Sequence, residues 1–170
     1  MEDAIREWQE TLDRGTANTM VRMNTEDWLK EARALASVKA KPISEIESSL
    51  NSYLEELGRA GSDWNVAYQS IARLGTPAIP ALIRAVESGN DLLRSSSIDL
   101  LGKIGDKNAL PVLEKAARMS EADFRRMTGI TGKGRQVMMG GTQIEVSLKE
   151  DLDSYHSYAK GAIQNIKKRR

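Results

Sequence analysis

Two stretches of this chain repeat one pattern at a spacing of 30 to 31 residues, and that period restricts the folds open to it. Leu74-Gly75 is followed by Pro80, five residues after the glycine, and then by Leu82. Ile104-Gly105 is followed by Pro111, six residues after the glycine, and then by Leu113. Self-similarity at this period marks a repeat architecture. Each unit is too small to bury its own apolar face and must stack on the next. With 170 residues, the chain has room for one domain or a short array with a continuous core.

Helical periodicity fills most of the chain. Ile5, Trp8 and Leu12 predict a helix over residues 3–14, before Gly15 and the polar run that follows. A second is expected to start at Asn24 or Thr25 and to carry Trp28, Ala32, Leu35 and Ala36 inward. It ends before Pro42, because the residue preceding a proline is disfavoured in the helical region. Ile43, Ile46, Leu50, Tyr53, Leu54 and Leu57 predict one helix of about four turns. Ser44 and Glu47 stand at capping-box spacing near its start, and Gly58 and Gly61 bracket its end. Trp64, Tyr68, Ile71 and Ala72 form the stripe of the next helix. Thr76-Pro77 then combines a capping residue with proline in the first helical position, ahead of Ile79, Leu82, Ile83 and Val86. Ser88-Gly89-Asn90 stops that helix. Residues 91–104 form another, with Leu93, Ser97, Leu100, Leu101 and Ile104 inward. Asp106 can cap the helix carrying Leu110, Leu113 and Ala117.

The segment from Asp91 through Arg94, Ser97, Leu100-Leu101-Gly102, Ile104-Gly105-Asp106 and Ala109-Leu110-Pro111 to Leu113 resembles a HEAT-like repeat of the short bacterial type. The resemblance implies an all-α, right-handed α-solenoid of antiparallel helix pairs. It also implies that Asp91 and Arg94 support neighbouring repeats through polar contacts. A displacement of −30 places Trp64 where Arg94 stands, as in an atypical capping repeat. A displacement of +62 aligns Asp153 with Asp91, His156 with Arg94, and Ile166 with Ile104. Residues 152–167 therefore match the second helix of a third repeat. One domain over 1–170 is expected: non-repeat helices at 1–60, the best-matching repeats at 61–119, an insertion at 120–150, and the last helix with a basic tail at 151–170.

The insertion splits that last repeat. Ser120 and Asp123 predict a cap on a short basic helix, Phe124-Arg-Arg-Met127. Gly140-Gly141 joins residues 137–139 to the alternating Ile144, Val146 and Leu148, which is a β-hairpin signal. A loop is the alternative, because an isolated hairpin is marginal unless it packs on something.

Lys and Arg total 25 against 24 Asp and Glu, a net charge of +1. Bulk charge therefore does not hold this protein on nucleic acid. Residues 1–60 carry 8 basic and 12 acidic groups, whereas residues 121–170 carry 10 and 6. The C-terminal part is thus the basic one. Without cysteine there are no disulfides, thiolate metal sites or cysteine nucleophiles. The N-terminal residues lack the apolar run of a signal peptide, and no apolar stretch approaches a membrane span. A soluble, cytoplasmic protein is expected, with no cofactor, no metal and no membrane partner.

His156 is the only histidine, and no metal-spaced cluster surrounds it. A structural role is expected for it, as for Trp8, Trp28 and Trp64. The pairs Glu26-Asp27, Glu55-Glu56 and Glu150-Asp151 read as solvated faces rather than acid–base machinery. Gly129-Ile-Thr-Gly132-Lys133-Gly134 lacks the spacing and following Ser or Thr of a phosphate loop. It reads as a flexible basic loop. In HEAT-like arrays the second helices line the concave face. Its outward row here would be Asn65, Gln69, Arg73, Ser95, Asp99, Lys103, Ser157, Gly161 and Asn165. That row is mixed, whereas a nucleic-acid groove is predominantly Lys and Arg.

These residues imply a non-catalytic scaffold that binds a protein or peptide. The candidate binding residues are Arg73, Asp99 and Lys103 on the concave row, with Arg125, Arg126, Lys133 and Arg135 in the insertion. The alternative is nucleic-acid binding through the insertion and the Lys167–Arg170 tail. The resemblance extends to proteins that attach bilin chromophores and others that excise damaged bases. No residues here match their catalytic groups.

Overall fold

Gly75 and Gly105 both adopt positive φ, 70° and 79°, a region that glycine enters without steric cost. Each glycine ends one helix and turns the chain into a single turn of 3-10 helix, Thr76–Ala78 and Lys107–Ala109. An α-helix with proline in its first turn follows both times. Between Gly105 and its 3-10 turn stands one additional residue, Asp106, whose carboxylate accepts from the Asn108 amide at 2.7 Å. That residue lengthens the displacement from 30 to 31. Beyond the turn, Ala78 and Ala109 are fully buried, as are Leu82 and Leu113. The repeat seen in the letters is therefore a repeat in packing.

The computed structural model describes residues 6, 10, 29–30, 32–34, 36–59, 61, 63–139 and 142–169. Residues 36–40 are helical. The elements that follow are α1 (Ile43–Ser48), α2 (Leu50–Leu57), α3 (Trp64–Leu74), α4 (Ile79–Ser88), α5 (Asp91–Ile104), α6 (Leu110–Ala117), α7 (Glu121–Thr128), β1 (Gly134–Met139), β2 (Thr142–Ser147) and α8 (Leu148–Lys168). The helix pairs α2–α3, α4–α5 and α6–α8 stack into an α-solenoid. Its core runs continuously from Ile46 to Ile166. Most of the helix expected at 3–14, the start of the next, Trp8, Trp28 and Leu35 lie outside the described residues. Ala32 is buried as expected, and Leu29 and Val38 join it.

α5 sits at the centre. It packs on α4 and α8 and reaches α2 and α3. Ile98, Leu100 and Leu101 are wholly buried, each contributing about 1.5–3 kcal/mol relative to exposure. Leu93 and Ile104, expected inward, are only half-buried. Ile98 and Arg94 take the deeper positions. Asn90 caps α5 by accepting from the Leu93 amide, 2.9 Å. At the other end, Arg169 donates to the Lys103 carbonyl at 2.6 Å, so a cation meets the negative end of the helix dipole.

α8 completes the last repeat although residues 118–147 separate it from α6. It packs on both α5 and α6. The alignment of His156 with Arg94 has a structural counterpart. Arg94 Nη2 donates to the carbonyl of Gly89, just past the end of α4, at 2.6 Å. His156 Nε2 lies 2.9 Å from the carbonyl of Met119, just past the end of α6. A carbonyl only accepts, so this nitrogen carries the proton. In both repeats the second helix is thus tied to the end of the first.

Three local expectations fail. Residues 43–57 are two helices, with Ser49 at φ −95°, ψ 4° between them. Neither Ser44 nor Thr76 caps a helix: Pro42 precedes α1, and the Gly75 carbonyl accepts from the Ala78 amide instead. α8 begins four residues earlier than periodicity indicated. A true capping box sets its start: Ser147 Oγ accepts from the Glu150 amide, and the Glu150 carboxylate accepts from the Ser147 amide.

Gly102 marks the closest approach of α5 to α8. A Cβ there would lie 2.7 Å from the Ala162 Cα and 2.8 Å from its Cβ. Gly102→Ala should therefore lower stability by about 1–3 kcal/mol in urea unfolding. Gly161 has nothing within 4 Å of such a Cβ, so Gly161→Ala should raise stability by roughly 0.5–1 kcal/mol. Equal effects of the two substitutions would contradict this packing.

Candidate binding cleft

The insertion forms an antiparallel hairpin preceded by a capped helix. Ser120 Oγ accepts from the Asp123 amide at 3.1 Å. Gly129, at φ 74°, closes α7. Gly134 pairs with Ser147 and Met139 with Thr142, which leaves a two-residue connection at 140–141. Of the alternating residues, Ile144 and Val146 are half-buried. Leu148 is buried but belongs to the first turn of α8.

The repeat array supplies the packing that such a hairpin needs. The Phe124 ring lies 5.5 Å from that of Tyr155 on α8. The Leu148 amide donates to the Lys133 carbonyl at 2.8 Å. Arg135 grips Asp151 through two nitrogens, at 2.6 and 3.1 Å, and reaches Asp91 at 3.5 Å. Burial disfavours the Arg135 guanidinium's charge, but the hydrogen bond to Asp151 outweighs it and moves its pKa up. Asp91 also accepts from Arg94 at 2.7 Å. The acid implicated by the repeat resemblance thus joins its own helix to the hairpin.

Held in this way, α7 walls a cleft of about 680 Å³ against the last turns of α4 and α6 and the first turn of α5. Val86, Val112, Ala116, Met119 and Met127 give it an apolar lining. Glu87, Lys115, Arg118, Asp123 and Arg126 give it a charged rim. Arg94 and Tyr155 line both this cleft and a smaller one, of about 280 Å³, bounded by Asp91, Arg135, Asp151 and Tyr158. The Arg94 Nε and the Tyr155 hydroxyl are buried with no hydrogen-bond partner among the described residues. Each such group costs about 1–3 kcal/mol. Burial pushes the Tyr155 hydroxyl up in pKa, opposed by Arg94, so it stays a proton donor at neutral pH.

The candidate residues separate into different environments. Arg73 donates to the carbonyls of Val38 and Lys41, closing the helix ahead of α1. Asp99 accepts from the Tyr68 hydroxyl, and the Lys103 ammonium stands 4.7 Å over the Tyr68 ring. Burial and that bond together raise the pKa of Tyr68. Asp99 and Lys103 are therefore brought together, around an aromatic that periodicity marked only as core. Arg125 bonds Glu121 and the Gly132 carbonyl, and Arg135 is the hairpin clamp. Arg126 pairs with Asp123 at 3.3 Å and alone of the four insertion residues lines the larger cleft. Lys133 is exposed. Lys115 and Arg118 belong to the cleft and were not singled out from the sequence. Their signal was present: they stand three residues apart near the end of α6, as Met119 enters the insertion.

Glu55 and Glu56 pair with Arg59, so the expectation of a solvated face holds there. Glu150 and Asp151 divide between a helix cap and the hairpin clamp. Glu26 and Asp27 lie outside the described residues. Among the described residues no group of three or more His, Asp or Glu could hold a metal ion. No helix there is long and apolar enough to cross a membrane.

The family model of HEAT repeats matches residues 53–131. It starts within α2, earlier than residue 61 where the repeat pattern is recognisable by eye, and stops just before β1. Neither the curated proteins nor the solved structures contain a match.

Replacing Arg135 by Met should free the hairpin, leaving the nearly buried Asp151 without its counter-charge. Because Arg135 is itself partly exposed, the loss should be about 1–2 kcal/mol, below that of a fully buried pair. Amide exchange in β1 and β2 should accelerate while α5 stays protected. Unchanged hairpin protection would rule out the clamp.

Proposed function

Residues 53–131 being HEAT repeats, a module that generally mediates protein interactions, we propose that this protein is a non-catalytic helical scaffold that binds a protein partner. The partner occupies the concave row around Asp99 and Lys103 together with the cleft beside α7. The observation that carries the reading is where the arginines go. Arg73, Arg125, Arg135 and Arg169 all donate to carbonyls or carboxylates within the fold.

A channel that follows a nucleic-acid backbone needs cations directed outward along its length. Of the basic groups that favoured nucleic acid in the sequence, Arg126 holds only an exposed ion pair with Asp123, and Lys133, Lys167 and Lys168 are exposed without such a bond among the described residues; these are few for that task. The apolar lining at Val112, Met119 and Met127, surrounded by charge, is the anatomy of a protein contact.

The scaffold reading predicts that affinity capture of the full chain, followed by chemical cross-linking, recovers a protein joined through Lys103 or Lys115. It also predicts no retention on DNA or RNA at low salt. Saturable nucleic-acid binding that falls steeply with salt, with no protein cross-link, would reject it.

A further inference from the structure

The geometry points to an acidic amphipathic segment of a partner protein as the occupant of the cleft between α7 and the repeats. This rests on the protein-binding reading and adds to it the chemistry of what is bound. The lining supplies apolar contact at Val86, Val112, Ala116, Met119 and Met127, enough to receive one or two large apolar side chains. The rim decides what must flank them.

Three cations and two acids stand there: Lys115 pairs with Glu87 and Arg126 with Asp123, while Arg118 pairs with Glu114, which lies outside the lining. In each the cation is the more exposed member, at 69, 77 and 79 % against 50, 42 and 56 % for the acids. With three cations against two acids, the rim presents an excess of positive charge to an incoming chain. Exposed pairs contribute little, so these cations can exchange an internal carboxylate for an external one at little cost. Arg135 differs, because its partner Asp151 is nearly buried. The rim is built to exchange partners and the clamp is built to hold.

A basic segment is disfavoured on the same ground: it would meet Lys115, Arg118 and Arg126 against only Glu87 and Asp123. A segment with Leu or Met on one face and Glu or Asp on the other satisfies both lining and rim, by the helix-in-groove mode of recognition.

The chain has no cysteine, so one engineered thiol can carry a fluorescent reporter. Ser88→Cys places it at the cleft, and Ser157→Cys places it at an exposed position of α8, on the row expected to be concave. Two synthetic peptides serve as probes, identical in their Leu positions, with Glu in one and Lys in the other. The Glu peptide should give a saturable shift at position 88, weakened by salt, and the Lys peptide none. Joint Lys115→Glu, Arg118→Glu and Arg126→Glu substitution should weaken the Glu peptide roughly tenfold or more. Joint Glu87→Gln and Asp123→Asn should tighten it, an outcome that loss of fold cannot imitate.

Equal binding of both peptides, no saturable shift with the Glu peptide, or no loss on charge reversal would overturn the inference. A shift confined to the reporter at 157 would overturn it too, while leaving the protein-binding reading in place.

Discussion

Everything downstream of residue 105 depends on the contact of α5 with α8, made where Gly102 lets the helix backbones approach. The two helices are about sixty residues apart in the chain, so the contact closes a long loop. The entropic cost of closure grows only slowly with loop length. An insertion of about thirty residues is therefore tolerated, provided the helix after it still fits the groove. Ala159, Ala162 and Ile166 provide that fit, since all three are buried. Small residues on α8 facing a glycine on α5 permit a close crossing that a larger side chain at either position would prevent.

Polar ties fix the geometry that apolar contact leaves loose. Arg94 and His156 each bond the carbonyl just past the preceding first helix, and Arg169 meets the end of α5. The Arg135 clamp does the same for the hairpin. These bonds are directional, so they set helix register and hairpin position where burial alone is indifferent to small slides. They also leave Arg125 and Arg135 only half-exposed, whereas the other described cations of the C-terminal part remain exposed. The cations on the rim of the α7 cleft stand in pairs too exposed to be held tightly.

The repeat was legible because its turns are local. Gly75 and Gly105 need positive φ, Pro80 and Pro111 tolerate only a first-turn position, and the spacing between them is short. The third repeat was legible through its apolar spacing, although a displacement of 62 had to be accepted across the insertion. The hairpin was legible from Gly140-Gly141 and the alternation after it, but its packing was not. That packing comes from Phe124 on Tyr155 and Arg135 on Asp151, contacts between segments distant in sequence. The break at Ser49 was hidden for the opposite reason: the apolar spacing continues unbroken through it. The candidate site was the least legible part. Arg125, Arg126 and Arg135 look alike in a basic segment, and only the folded chain assigns one to a helix–loop tie, one to the cleft and one to a clamp. The spacing of Lys115 and Arg118 near the end of α6 was in the sequence, but that they line a cleft follows only from where α7 lies.

The central claim is that α8 is the second helix of the last repeat and unfolds with the array rather than with the insertion. Native-state hydrogen exchange measures this residue by residue. The amides of residues 159–166 should exchange only through the same global opening as those of residues 97–101, while the hairpin opens at lower free energy. Exchange of α8 together with β1 and β2, at a free energy well below that of α5, would show the final helix to be an appendage and would contradict the account.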